Sequence, residues 1–394
     1  MKSQPALTGD RNGGNMKSRT RTLICGMTLF AAMAISVQLS AQGQQKGLNS
    51  ALSPQITTFS APHAGKGYQQ GTFPLDNNVS GTITGYYQDA RNVYHGFVRT
   101  ADGTLTPFDP PGAGKKAYQG TFAPGINDAG VIVGLYQDAK NVYHGFIRTP
   151  DGTFTTIDAP DAGTEAFQGT FAENINDAGT ISGFYEDWNY VYHGFVLTAG
   201  GPLAAGAFTT FDAPGAGTGF LQGTQVIYTG MNAGGAITGY SFDNFGAVPN
   251  GFLRTPEGDM LPLFDINGSL ASFGESITTD ETTTGYFLDK DLVYLGFLRD
   301  REGVFTVFGA PSVGSSPYQG TFVSAINPAH SITGAYIDWN NAYHGFVRSA
   351  DGDFTIFNVP GATGINPQAI NAAGAIAGYF YDQNYVARGF LYTP

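Results

Sequence analysis

The chain contains two tryptophans, and both stand in the same three-residue pattern, Asp187-Trp188-Asn189 and Asp338-Trp339-Asn340. An indole offers an apolar face on which a pyranose can stack, and neighbouring carboxylate and amide groups can bind sugar hydroxyls. Other copies of the repeat described below carry Ala, Asn, Lys or Gln at this position, so packing does not require an indole there. We therefore expect these six residues to bind a ligand; the alternative is that each indole covers a strand edge.

An aspartate recurs in the same loop of every repeat copy. The seven are Asp89, Asp138, Asp187, Asp243, Asp289, Asp338 and Asp382. Such a ring of carboxylates could bind calcium or supply general bases. An aspartate in a loop more often accepts backbone N–H bonds in an Asx-type turn, and active sites tend to break the symmetry of a repeat. We interpret the five without a neighbouring Trp (Asp89, Asp138, Asp243, Asp289 and Asp382) as structural caps of their loops. No metal site and no cofactor is predicted.

Tyr-His pairs recur at one strand position. They are Tyr94-His95, Tyr143-His144, Tyr192-His193 and Tyr343-His344. A tyrosine and a histidine could act as base and acid in the β-elimination of a uronate polysaccharide. Four equivalent copies favour packing of a hydrogen-bonded imidazole instead. The sequence has no Gly-x-Ser-x-Gly elbow, His-Glu-x-x-His helix or P-loop, so we predict no catalytic residue.

These residues belong to an internal repeat marked by a Gly-Phe pair. Its phenylalanines are Phe97, Phe146, Phe195, Phe252, Phe297, Phe346 and Phe390, which step by 49, 49, 57, 45, 49 and 44 residues. A fixed period of this size indicates a repeat architecture. Each copy contains four short runs rich in Thr, Val, Ile, Phe and Tyr between turn residues, the pattern of four antiparallel strands. We predict an all-β fold: a seven-bladed β-propeller of four-stranded antiparallel blades.

The two ends of the chain predict how the propeller closes. The last copy stops after three strands, at Tyr392. A segment resembling the fourth strand stands at the start, where residues 56–62 (ITTFSAP) match residues 155–160 (TTIDAP). We predict that the N-terminal strand completes the last blade as its outer edge and protects that edge from other chains.

The second and third strands each carry a glycine, such as Gly134 and Gly145 in the second copy. With a four-residue connection, Asp138–Asn141, the two glycines would face one another across the ladder. Paired glycines weaken a strand unless something uses the space. We therefore expect an aromatic side chain from the neighbouring blade to fill it.

The YHGFVRT element, at residues 94–100, and its relative at residues 143–149, with Ile-Asn-Asp-Ala-Gly upstream, resembles the extracellular repeats called HAF, after a His-Ala-Phe core. Gly replaces Ala in this chain, and the resemblance covers about 85% of it. The resemblance implies a secreted repeat protein and carries no particular activity.

The N-terminus has the pattern of a secretory signal. Residues 1–41 end in a basic head, an apolar stretch and Leu39-Ser40-Ala41, and Met16 is an alternative start. We predict a signal peptide (1–41), a polar linker (42–54) and the propeller (55–394), in a secreted or periplasmic monomer. Removal of the signal changes the net charge from −12 to −16. Such an acidic chain lacks the basic surface that nucleic acids or anionic membranes require, and no membrane insertion is expected after signal removal.

The pattern as a whole predicts a secreted, non-enzymatic binding module for an extracellular glycan or cell-envelope polymer. The first alternative is a polysaccharide lyase or glycoside hydrolase that works near the central opening of the propeller. The second is a structural surface repeat protein. A lone pocket with converging carboxylates would favour the enzyme, whereas equivalent shallow sites between blades would favour binding.

Overall fold

The computed structural model describes residues 54–198, 207–243, 248–261, 264, 266 and 268–394. The predicted signal peptide (1–41) and residues 42–53 of the linker lie outside these residues. Within the described residues the chain forms strands and turns without a helix, so none of these segments offers a helix that could cross a membrane.

The strands follow one another at short intervals. They are β1 (Gln55–Phe59), β2 (Gly71–Asn77), β3 (Ile83–Gln88), β4 (Tyr94–Arg99), β5 (Leu105–Phe108), β6 (Gly120–Ile126), β7 (Ile132–Gln137), β8 (Tyr143–Arg148), β9 (Phe154–Ile157), β10 (Gly169–Ile175), β11 (Ile181–Glu186), β12 (Tyr192–Thr198), β13 (Ala207–Phe211), β14 (Gly223–Met231), β15 (Ile237–Phe242), β16 (Pro249–Arg254), β17 (Met260–Leu261), β18 (Ala271–Ile277), β19 (Thr283–Leu288), β20 (Tyr294–Arg299), β21 (Phe305–Phe308), β22 (Gly320–Ile326), β23 (Ile332–Ile337), β24 (Tyr343–Arg348), β25 (Phe354–Phe357), β26 (Gly364–Ile370), β27 (Ile376–Tyr381) and β28 (Ala387–Thr393).

The phenylalanine that marks each repeat copy lies in the core. All seven side chains, from Phe97 to Phe390, are completely buried. Burying one such side chain contributes about 1.5–3 kcal/mol to folding relative to leaving it exposed. Packing therefore explains why this residue type recurs at this position.

The strands of each repeat copy pair antiparallel in chain order, as β6 does with β7, β7 with β8, and β8 with β9. The first strand of the described residues pairs with the last instead: β1 lies antiparallel to β28. The Phe59 ring of β1 covers Gly389, where an added Cβ would lie 2.6 Å from it, as Phe108 of β5 covers Gly96. β1 thus has in the last copy the position that β5 has in the first.

The paired-glycine prediction was wrong. Gly134 lies opposite Phe146, and Gly145 lies opposite Leu135, because five residues (138–142) separate the paired ends of β7 and β8 where four were assumed. An added Cβ would lie 2.9 Å from the Phe146 ring at Gly134 and 2.8 Å from Ile157 at Gly145. Residues of the same copy fill most of this space, and the next copy adds the Thr170 methyl group, 3.3 Å from the Cβ position at Gly145. No aromatic side chain of a neighbouring copy is among the nearest atoms at either glycine.

Successive copies meet at a glycine that begins the first strand of the next copy. Gly120 of β6 lies beside Tyr94 of β4 in a parallel bridge, has a φ of +121°, and approaches so closely that a Cβ would lie 1.9 Å from the Tyr94 carbonyl oxygen. Only glycine accepts this backbone geometry. β18 begins at Ala271, whose Cβ forbids the approach, and β26 follows a shorter connection (358–363). The hydrogen-bonded strands accordingly form two sheets, of twenty and eight strands.

Asparagines in the turns between first and second strands form a further link between copies. The side-chain Nδ2 donates to a backbone carbonyl of the next copy in the pairs Asn78–Asn127, Asn127–Asn176, Asn176–Asn232, Asn232–Thr278, Asn327–Asn371 and Asn371–Asn78. The Asn232–Thr278 and Asn327–Asn371 bonds, at 2.8 and 3.1 Å, connect the two sheets. Thr278 stands where other copies have asparagine, and its hydroxyl donates to Asp280 instead.

Candidate functional site

Two sets of loops lie side by side at one end of the strands, and we call them the loop face. They adjoin because the start of each first strand pairs with the end of the second, as Gly120 does with Gln137. The turns between second and third strands are residues 89–93, 138–142, 187–191, 289–293, 338–342 and 382–386, and the lead-in segments before first strands are residues 65–70, 114–119, 163–168, 217–222 and 314–319.

The loop aspartates accept hydrogen bonds from their own turns. The Oδ1 atom of Asp138 accepts from the backbone N–H groups of Lys140 and Val142, each at 2.8 Å. The same two bonds occur at Asp89, Asp187, Asp289, Asp338 and Asp382. Asp243 directly precedes residues that the structure does not describe. Burial alone would raise the pKa of Asp89, but the N–H groups of Val93 and Arg91 and the Arg91 guanidinium outweigh it and lower that pKa.

Trp188 and Trp339 are the most exposed large apolar side chains of the described residues, at 75% and 72%. Asp187 accepts from Asn189 N at 2.8 Å, and Asp338 accepts from Asn340 N at 2.8 Å, so each turn is fixed around its indole. The rings therefore project from a rigid backbone into solvent.

Each lead-in segment holds one residue in the left-handed backbone conformation, and sequence reasoning missed these positions. The residues are Gln69, Tyr118, Phe167, Leu221 and Tyr318, with φ between 58° and 73°. A bulky residue in this region costs on the order of 1–3 kcal/mol, so the surroundings must hold it. The available signal was the Gln-Gly pair that follows all five residues, as in Tyr118-Gln119-Gly120. Three of the five residues are aromatic.

A hydrogen bond to the preceding copy holds these residues. The N–H of Tyr118 donates to the Asn92 carbonyl at 2.7 Å, and that of Tyr318 donates to the Leu292 carbonyl at 2.6 Å. The same bond joins the other three lead-in segments to turns of the preceding copy. The rings of Tyr118 and Tyr318 are left 50% and 60% exposed. Equivalent exposed aromatics thus recur where copies meet.

Two of these junctions carry aromatic pairs. The rings of Tyr68 and Tyr385 lie 5.4 Å apart between their centroids, and those of Tyr190 and Phe220 lie 5.5 Å apart. Tyr190 is two residues from Trp188. Three aromatic side chains therefore belong to the junction between the third and fourth copies.

The histidines of the Tyr-His pairs are held between acceptors. The His144 ring stacks on Tyr136 at 5.1 Å, its Nδ1 lies 3.1 Å from Asp158, and its Nε2 lies 3.8 Å from Asp138. The hydrogen bond that His144 donates to Asp158 raises the pKa of His144 against the opposing effect of burial. His95 and His193 have equivalent partners, and their pKa values are raised in the same way.

The side chain of the tyrosine in each pair does not lie beside the side chain of its histidine. Tyr143 and His144 are consecutive strand residues and point to opposite sides of the sheet. The Tyr143 ring packs on Phe171 of the next copy at 4.7 Å. The two groups therefore do not converge on one reacting atom.

An irregular stretch of β14 brings several copies together. The Tyr228 hydroxyl donates to Gln368 Oε1 at 2.5 Å, the Tyr228 carbonyl accepts from Asn174 Nδ2 at 2.5 Å, and the Thr229 hydroxyl donates to the Glu275 carbonyl at 2.6 Å. The fourth copy thus contacts the third, fifth and seventh at once.

Buried carboxyl groups on first strands lie near this stretch, and sequence reasoning did not single them out. Burial raises the pKa of Glu173 to about 8 and also raises that of Glu275. Burial raises the pKa of Asp76 to about 6, although backbone N–H groups oppose it. One side-chain oxygen of Glu173 and one of Glu275 has no hydrogen-bond partner among the described residues. Their only sequence signal is an acidic residue within an apolar first strand.

Nothing in the described part of the chain brings three or more His, Cys, Asp or Glu side chains into a group that could hold a metal ion.

Solved structures similar to this chain are β-propeller proteins. A catalytically inactive virginiamycin B lyase from Staphylococcus aureus with quinupristin has a TM-score of 0.55 at 14% identity, over 87% of this chain and 100% of that chain. A lectin from Burkholderia pseudomallei has a TM-score of 0.51 at 8% identity, over 82% and 96%. The beta-propeller domain of a trilobed protease from Pyrococcus furiosus has a TM-score of 0.48 at 8% identity, over 82% and 96%.

Neither a protein-family model nor a curated protein sequence matches the chain. At these identities the similarity concerns the fold alone. The chain is an all-β protein with a fold of the β-propeller type.

Proposed function

We propose that this protein is a secreted or periplasmic, non-enzymatic binding module for an extracellular glycan or cell-envelope polymer. The observation that carries the proposal is the loop face, where exposed aromatic side chains stand at repeated positions on a backbone fixed by hydrogen bonds. Exposed apolar rings without a packing role commonly mark interaction sites. The apolar face of a sugar stacks on an aromatic ring, while neighbouring polar groups form hydrogen bonds with the sugar hydroxyls.

Binding accounts for this geometry better than catalysis does. The loop aspartates and the histidines recur with the repeat, and each satisfies the hydrogen bonds of its own copy. A catalytic site requires one place where an acid and a base converge, and Tyr143 and His144 point apart. Tyr228 and Thr229 bridge several copies, and their hydrogen bonds to Asn174, Gln368 and the Glu275 carbonyl give them a structural role.

We further propose that the strands form seven four-stranded blades in a closed ring, with HAF-type repeats. The β1–β28 pairing supports closure at the ends of the chain. The Asn232–Thr278 and Asn327–Asn371 bonds support continuity where the backbone ladders are interrupted. A monomer fits this arrangement because the ring leaves no unpaired first or last blade.

A glycan array probed with the mature protein tests the function. Trp188→Ala and Trp339→Ala should weaken binding several-fold, since a stacked ring contributes on the order of 1 kcal/mol, and should leave the melting temperature within a few degrees. Val79→Ala is the matched control, because Val79 is 51% exposed on a turn at the opposite end of the strands. Unchanged binding in both Trp variants would refute the assignment of the site, and no binding to any glycan would refute the function.

A further inference from the structure

The charge of the chain is uneven around Trp188. No Lys or Arg stands between Arg148 and Arg254, whereas nine Asp and Glu residues do in addition to the buried Glu173. Trp188 lies within this stretch. A ligand that approaches this sector meets a negative potential, which attracts cations and repels anions.

Three aromatic rings meet the solvent at the junction of the third and fourth copies. Trp188 is 75% exposed and Phe220 is 53% exposed. The Tyr190 and Phe220 rings lie 5.5 Å apart at 57°. The Leu221 N–H donates to the Tyr190 carbonyl at 2.8 Å, which fixes the lead-in segment against the turn that carries Trp188. The backbone that carries these rings is therefore fixed before a ligand arrives.

Two carboxylates accompany these rings. His193 lies between them, with Nδ1 2.9 Å from Asp212 and Nε2 3.8 Å from Asp187. The Asp212 side chain is 53% exposed, so its charge faces solvent. Even with a protonated His193, these three groups keep a net negative charge.

We infer that the Trp188 junction binds an amine-bearing glycan, whose sugar ring carries a protonated ammonium group. This inference rests on the proposed glycan-binding function and names its ligand class. An aromatic face attracts a cation placed over it, most strongly when the face belongs to Trp. Asp187 and Asp212 add negative charge to the site. This charge attracts a protonated amine, has little effect on a neutral sugar and repels a uronate.

The Trp339 turn is an internal control. Trp339 is 72% exposed in the same turn conformation, but Asn341 replaces Tyr190. Asn358 replaces Asp212, and its Oδ1 lies 2.9 Å from His344 Nδ1. This turn retains a stacking surface without the second carboxylate and without the Tyr190–Phe220 pair. Asn358 also shows that an asparagine can hold the histidine, so Asp212→Asn should preserve the local structure.

The test compares soluble glucosamine oligomers with N-acetylglucosamine oligomers of equal length and with oligogalacturonates, by calorimetry at a pH where the amine is protonated. The wild-type protein should bind the glucosamine oligomers several-fold more tightly than the acetylated ones, and added salt should reduce this ratio. Asp212→Asn and Trp188→Ala should each abolish most of the preference. Trp339→Ala should weaken the binding of both oligomers and leave the ratio of their affinities unchanged.

A second readout uses fluorescence. Trp339→Phe leaves Trp188 as the only indole, so its emission reports ligand at this junction directly. Glucosamine oligomers should quench it at lower concentration than acetylated oligomers do. Equal affinities for charged and acetylated oligomers would overturn the inference and leave glycan binding intact. Failure of every glycan to bind would overturn both.

Discussion

The strongest structural prediction concerns Phe59, which holds β1 in the last repeat copy. Its ring covers Gly389, lies 6.4 Å from the Phe97 ring, and has the Arg99 guanidinium 4.7 Å above it. Removing a fully buried Phe side chain costs about 3–5 kcal/mol. Phe59 is only partly buried, which reduces this to about 2–3 kcal/mol, and the lost cation–π contact adds about 0.5–1 kcal/mol. Phe59→Ala should therefore destabilise the protein by about 3 kcal/mol.

Urea unfolding measures this loss as a lower midpoint at an unchanged slope, and the melting temperature should fall by roughly 4 °C for a folded body of this size. Phe308→Ala is the matched control, since Phe308 covers Gly296 and lies 4.8 Å from the Arg348 guanidinium. The two variants should lose similar amounts of unfolding free energy. If Phe59→Ala left the midpoint unchanged while Phe308→Ala lowered it, β1 would contribute nothing and closure by the N-terminal strand would be refuted.

Three further variants test the loops, the junctions and the buried acids. Asp138→Ala should cost about 0.5–2 kcal/mol, the range of a lost side-chain cap, and an unchanged urea midpoint would contradict that role. Gly120→Ala should cost at least about 2 kcal/mol because of its strained φ and close contact, whereas Gly364→Ala, where the nearest atom to a new Cβ is 3.9 Å away, should cost much less. Burial raises the pKa of Glu173 from 4.5 to about 8, so its contribution to stability is fully present below pH 4.5 and is lost as the pH rises to about 8. Glu173→Gln should therefore gain stability relative to wild type across that window, and a constant difference between the two would exclude this titration.

Features set by local patterns were predictable from the sequence. The all-β class follows from short alternating runs between turn residues, and the burial of Phe146 and its equivalents follows from their recurrence. The pairing of β1 with β28 followed from the likeness of residues 56–62 to a fourth strand. To predict each of these features, it is enough to know the neighbouring residues in the sequence or to compare the repeat copies with one another.

Features that depend on the count of loop residues or on distant contacts were not predictable. One additional residue in the turn 138–142 moved Gly134 from opposite Gly145 to opposite Phe146. The left-handed conformation of Tyr118 depends on a carbonyl of the preceding copy. The raised pKa of Glu173 depends on its burial in β10, which contacts β6 and β14, two first strands that are distant in sequence. In each case the deciding partner is not visible in the residue's own segment.

Departures from the repeat, rather than the repeat itself, identify where the copies differ in chemistry. Core phenylalanines, turn aspartates and junction glycines recur because every copy needs the same packing and the same hydrogen bonds. The third and fourth copies add Trp188, the Tyr190–Phe220 pair, the irregular stretch at Tyr228 and a stretch of 105 residues without Lys or Arg. Packing alone does not require the exposed members of this set, since the sixth copy keeps the same turn with Asn341 and Asn358. Trp188 and the Tyr190–Phe220 pair lie on the loop face within the acidic stretch, whereas Tyr228 is partly buried between copies. The aromatic surface and the negative charge at Trp188 are the two features on which the proposed binding of an amine-bearing glycan depends.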